Sequence, residues 1–113
     1  MTYKDIAELI KKIADTIGCD YHYYTEEEAG VVKTPYLLFD YPQSNDMYAD
    51  DANFQRIQTV RIEYDSKQKD FRAEKEIEAL LKDAELSYTK ESTMYEGQSA
   101  YGVMYEMEVV INE

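Results

Sequence analysis

A chain of 113 residues, 44% hydrophobic and 32% charged, is long enough for one modest core and too apolar for disorder. Its net charge of −12 is spread along the whole length with no basic patch, which argues against a protein that grips nucleic-acid phosphates. One cysteine, Cys19, excludes an intrachain disulfide, and no apolar run approaches the roughly 20 residues of a membrane span. We therefore expect a single cytosolic domain over residues 1–113 with no membrane partner.

The first element is an amphipathic helix from Thr2 to Ile17. Ile6, Leu9, Ile10, Ile13 and Ile17 recur at helical spacing, Thr2 and Asp5 have the spacing of a capping box, and Gly18 supplies a stop. "DYHYY", Asp20 to Tyr24, has the aromatic content of a strand. After an acidic linker, "PYLLFDY" reads as a central strand that starts just past Pro35.

The loop "YPQSNDMYADDANF", Tyr41 to Phe54, separates that strand from "QRIQTVRIEYDS", and the two flanking strands pair most simply as an antiparallel hairpin. In the second of them Val60, Ile62 and Tyr64 alternate with Arg61 and Glu63. Ile57 is out of phase, which points to a bulge or a bend near Gln58 and Thr59. Asp70 to Ala84 is a second helix, with Phe71, Ile77, Leu80, Leu81 and Ala84 as its expected buried stripe. Two strands close the chain around a turn at Glu96–Ser99. In the last, Tyr101, Val103, Tyr105, Met107 and Val109 share one face. The expected fold is α+β in the order α-β-β-β-α-β-β, a mainly antiparallel sheet of four to five strands with two helices on one face.

Few patterns carry chemistry. Counted from Asp46 or from Asp50, the loop lacks both the glycine and the closing glutamate of a calcium-binding hand, so a solvated hairpin tip is the better reading of its acids. Zinc needs several cysteines or histidines, and the chain has one of each. Cys19 and His22 fall three apart at a strand entrance, which the pleat places on opposite faces. The four glycines are isolated, so no phosphate-cradling loop is formed, and no serine sits in a nucleophile elbow. We expect no enzyme, no catalytic residue, no metal and no cofactor.

Twelve tyrosines, with no tryptophan, are the compositional oddity. They either cover the second face of the sheet or, on the reading preferred here, belong to a surface that another subunit covers, with the loop reaching across to it.

Taken together, "YKDIAELIKKIAD", "PYLLFDYPQSNDMYADDANFQRIQTVRIEYDSKQKD", "EKEIEALLKDAELSYTKESTMYE" and "MYEMEVVI" resemble the tail-terminator, tail-completion or head–tail joining proteins of long-tailed bacteriophages and prophages. The resemblance runs over nearly the whole chain and is most specific from Tyr41 to Ile57. It implies a virion protein assembled in the bacterial cytoplasm, a hexameric ring at the head-proximal end of the tail tube that stops tube growth. Its implied partners are other copies of itself, the major tail protein and the head connector, with DNA passing through the lumen without specific binding. An acidic lumen would let the duplex slide. On this reading Tyr41, Met47, Tyr48 and Phe54 contact a neighbouring subunit or the tail tube, and Asp46, Asp50 and Asp51 lie at the rim or face the lumen. The alternatives are another neck protein (head closure or adaptor), a small ligand- or peptide-binding module, and, less well supported, a DNA mimic.

Overall fold

The structure, a computed structural model, describes residues 1–23, 34–44, 47–48, 54–95 and 100–113. Helix α1, Tyr3–Ile17, opens with the expected capping box: the Thr2 hydroxyl accepts from the Asp5 N–H at 3.1 Å and the Asp5 carboxylate accepts from the Thr2 N–H at 2.9 Å. It closes at Gly18, whose φ of +75° is left-handed and favours glycine. Strand β1, Asp20–Tyr23, lies parallel to β2, Tyr36–Ser44. A two-residue strand β3, Met47–Tyr48, precedes β4, Phe54–Ser66, which leads into helix α2, Phe71–Asp83. Strands β5, Thr89–Tyr95, and β6, Ala100–Ile111, complete the sheet in the order β1-β2-β4-β6-β5. Every pairing but β1–β2 is antiparallel, and β3 folds back onto the start of β4. The expected order is present, with β3 as an addition inside the loop.

Both helices pack on one face of the sheet. Ile6, Ile10, Ile13 and Ala14 of α1 and Ala73, Ile77 and Leu81 of α2 meet Leu37, Val60, Ile62, Tyr64, Val103, Tyr105, Met107 and Val109 in one core. Alternation along β2, β4 and β6 delivers these side chains to the same side.

Two expectations need correction. The irregularity lies in β2, not at Gln58 and Thr59. Asp40 pairs Arg61 and Gln43 pairs Thr59, so Tyr41 and Pro42 together oppose Val60, whereas the β4–β6 register runs unbroken from Arg56–Ile111 to Ser66–Tyr101. Pro42 has no N–H to give the ladder, which accounts for the bulge there. Ile57 is out of phase because it points to the helix-free side, in register with Val110.

Second, Phe71 is not in the buried stripe of α2; it is 73% exposed, and Ala73, Glu74, Ile77 and Leu81 face the sheet. The Asp70 carboxylate accepts from the Ala73 N–H at 3.0 Å, and its other oxygen accepts from the Tyr64 hydroxyl at 3.2 Å. This fixes the phase of the first turn with Phe71 outward.

Of the two readings of the tyrosines, the alternative set aside above also fails among the described residues, where they do not cover the second face. Tyr64, Tyr101 and Tyr105 lie on the helix side with the core, as do Tyr3, Tyr41 and Tyr88. Tyr36 is the tyrosine that the described β2, β4 and β6 send to the other side.

Candidate assembly surfaces

The loop between β2 and β4 starts from a fixed base. Tyr41 stands edge-on to Tyr3, with centroids 5.5 Å apart and planes at 87°, and touches Tyr23 and Phe39 at 6.1 and 6.3 Å. Burial raises its phenol pKa. The Tyr3 hydroxyl donates to Gln58 Oε1 at 2.8 Å, and Gln58 Nε2 donates to the Gln43 carbonyl at 2.8 Å. Tyr41 is thus packed within its own chain, on the outer edge of the core. Met47 and Tyr48 sit on β3 opposite Gln55 and Phe54, so backbone pairing brings three of the expected contact residues into one short ladder. The side chains of Met47, Tyr48 and Phe54, and the whole of Asp46, Asp50 and Asp51, lie outside the described residues.

The helix-free face of the sheet is acidic. Register and alternation place Asp20, Asp40, Glu63, Asp65, Glu91, Glu106 and Glu108 on it, with Arg61 as its one lysine or arginine among the described residues. Arg61 is held by Asp40, directly opposite: Nε donates to Oδ1 at 3.0 Å and a terminal nitrogen to Oδ2 at 2.6 Å. Glu63 and Asp65 are two apart on β4 and so share this face. Asp65 is 2% exposed, and one of its oxygens has no hydrogen-bond partner. Burial, then the neighbouring Glu63 carboxylate, push its pKa up to about 7, against a hydrogen bond with Tyr36 that favours the charged form. Apolar side chains are interspersed: Leu38 is buried, Met104 half-buried and Val110 exposed.

On the helix side, α2 is tied to β5 and β6 by a polar network. Glu74, 2% exposed, receives Lys69 and Lys90 on the same oxygen, each at 2.9 Å. Lys90 also reaches Glu78 at 3.0 Å, and Glu78 accepts from the Tyr88 and Tyr105 hydroxyls at 3.1 and 3.0 Å. Burial pushes the Glu78 carboxyl up, but the hydrogen bonds from Lys90, Tyr105 and Tyr88 outweigh it and leave the pKa lowered. This arrangement clamps edge strand β5 onto α2; its groups are engaged with one another rather than aimed at a substrate.

Cys19 and His22 do not form a catalytic pair. Cys19 is half-buried against the core, and burial, then Asp20, push its thiol pKa up to about 11, which keeps it protonated. His22 aligns with Leu38, which belongs to the helix-free face. Its Nε2 is buried without a hydrogen-bond partner. Among the described residues no group of three or more His, Cys, Asp or Glu side chains converges as for a metal ion, and no helix is long and apolar enough to cross a membrane.

Sequence reasoning missed the Asp40–Arg61 pair, the Glu63–Asp65 neighbours and the exposure of Phe71. Only the second had a local signal, the two-residue spacing in a strand. The others depend on strand register and on the rotational phase of α2.

No family model matches the chain, and no curated protein matches it. In fold it is similar to a chain from a solved structure described as the virion of a native gene transfer agent particle. The two superpose with a TM-score of 0.62 over 89% of this chain and 84% of the other, at 13% identity. At that identity the likeness establishes a common fold.

Proposed function

We propose that the protein is a structural component of a phage-like particle, and within that class a tail terminator. On this reading it forms a ring at the head-proximal end of the tail tube and joins the tube to the head connector. The observation that carries the reading is the fold likeness to a virion chain, which takes in nearly all of both chains. It agrees with the resemblance drawn from the sequence. The helix-free face supports the same reading: a sheet surface to which register assigns seven acids and one arginine suits the wall of a DNA conduit, where phosphates are to be repelled and not held. This gives the lumen a candidate lining on β4 and β6, besides Asp46, Asp50 and Asp51. The polar network under α2 fits a load-bearing subunit, because it pins an edge strand without exposing reactive groups.

Light scattering on a sizing column, over a wide concentration range, is the test, followed by negative-stain microscopy and by mixing with tubes of the major tail protein. A ring with a central hole that caps the tubes is the expected result. Rings that ignore tail tubes but bind the head connector would move the protein to head closure or to an adaptor. A monomer that ignores both would sink the reading.

A further inference from the structure

The sheet ends in two edge strands, β1 and β5, and among the described residues neither has a second neighbour. Folded proteins ordinarily guard such edges with a proline, a bulge or an outward lysine. β5 lacks all three. Its register with β6 is unbroken from Thr89–Glu106 to Tyr95–Ala100, and it contains no proline. Its one lysine, Lys90, is drawn onto Glu74 and Glu78 by the network under α2. Thr89, Lys90, Glu91 and Ser92 are all exposed. At the other edge β1 has neither proline nor lysine, and Tyr21 and Tyr23 lie along it on the helix side, 41% and 49% exposed.

The ladders fix which main-chain groups point outward. The Val110 carbonyl and the Asn112 N–H bond Met1, at 3.0 and 2.8 Å, on the side of β6 away from β4. Alternation along β6 then turns Glu106, Met104, Gly102 and Ala100 toward their partners in β5, which leaves the N–H and C=O groups of Lys90, Ser92 and Met94 facing out of the sheet. Carried the other way across β4 and β2, the same alternation turns Leu37 and Phe39 toward β1, where they bond Asp20 and His22 and leave Tyr21 and Tyr23 outward. The two edges also run in opposite directions, since β1 is parallel to β2 and three antiparallel steps lead from β2 to β5.

We propose that β5 of one copy of this chain pairs with β1 of the next, so that the sheet runs on from subunit to subunit. The proposal rests on the reading above that the protein forms a ring, and it names the joint. Rotation about a ring axis preserves strand direction, so two edges that run oppositely within one copy meet antiparallel between copies, the more stable pairing. Both helix layers stay on one side of the joint and the acidic faces on the other. Main-chain hydrogen bonds carry the contact, so two acidic molecules need no opposite charge patches, only a register that keeps acids apart. Lys90 opposite Tyr23 and Ser92 opposite Tyr21 is such a register: Glu91 then faces His22, and Asp20 faces Thr93. A slip of two residues that set Glu91 against Asp20 is disfavoured. The exposed rings of Tyr21 and Tyr23 come to lie against Ser92 and the Lys90 stem. The hold of Glu74 and Glu78 on Lys90 keeps β5 rigid, which lowers the entropic cost of docking.

The test compares the native mass of the wild type with that of Ser92→Pro and Tyr21→Pro, alone and on tail tubes, with circular dichroism verifying each fold. Either proline removes an outward N–H and blocks the joint without breaking a ladder bond inside the chain. Each should weaken association about tenfold or more. A second measurement reads the register directly, in a Cys19→Ser background. Positions 91 and 22 are four strand spacings apart in one chain, about 19 Å, but form a non-hydrogen-bonded pair across the joint, about 4.5 Å apart at Cα and within reach of a disulfide. Glu91→Cys with His22→Cys should therefore give covalent oligomers under oxidation, and neither substitution alone should. A wild type that assembles, with both proline variants assembling equally well and no cross-link formed, overturns this joint while leaving the ring reading intact. So does a discrete dimer that Ser92→Pro abolishes and Tyr21→Pro spares, since β5 would then pair with itself. A wild type that neither assembles nor binds tubes overturns both.

Discussion

Arg61 and Asp40 stand directly opposite each other on β4 and β2 and form a two-pronged ion pair on the helix-free face, at 3.0 and 2.6 Å. The pair lies one register step from the β2 bulge, where the ladder loses pairing. It ties the two strands across the sheet just before the loop begins. Arg61 also stands opposite Glu106 of β6, and its charge acts on Glu106 and on Glu63 two residues along its own strand.

A double-mutant cycle on Arg61→Met and Asp40→Asn should return a coupling of about 1 kcal/mol from urea unfolding, since the geometry is bidentate but the side chains are 33% and 15% exposed. A coupling near zero would show the pair to be a surface contact of no consequence.

Asp65 should give the protein a pH dependence on the alkaline side. Its folded-state pKa is raised from 3.8 to about 7, so the stability held by its protonated form is fully present below about pH 4 and is lost as pH rises through about 7. Asp65→Asn keeps an acceptor for Tyr36 and removes the charge. At pH 8 the variant should be more stable than the wild type, by on the order of 2 kcal/mol, and the advantage should vanish near pH 4. Urea midpoints at the two pH values check this, and equal midpoints at pH 8 would contradict it.

Glu74→Gln should destabilise the fold by roughly 1–3 kcal/mol, because it removes the buried charge that holds Lys69 and Lys90 together. Tyr105→Phe, which removes one donor to Glu78, should cost only about 1 kcal/mol. Thermal melting of the two variants ranks them. A Glu74→Gln variant that melts with the wild type would mean that the two lysines find water as readily as the carboxylate.

Replacing Met47 and Tyr48 together by serine should leave circular dichroism and melting unchanged while weakening assembly, if β3 presents a contact arm. Unchanged ring stability in the double variant would remove these residues from the interface.

The local parts of the structure were legible in the sequence. Thr2, Asp5 and Gly18 bound α1 because capping is chemistry between neighbours a few residues apart. The alternation of Val60, Ile62 and Tyr64, and of Tyr101 to Val109, assigned faces correctly because the pleat has a fixed period. Other features were decided only when distant segments met. Periodicity placed Phe71 inside, but the Asp70 cap and the seating of Ile77 and Leu81 on the sheet turned it to solvent, since a helix buries only the stripe that its packing phase selects. The bulge fell at Tyr41–Pro42 because register is settled between strands, where a missing N–H in β2 counts for more than one out-of-phase isoleucine in β4. Whether Asp65 is an ordinary surface acid or a buried carboxyl beside Glu63 was likewise decided by tertiary structure, because the cost of charge depends on what surrounds it and not on the residues next to it in the chain.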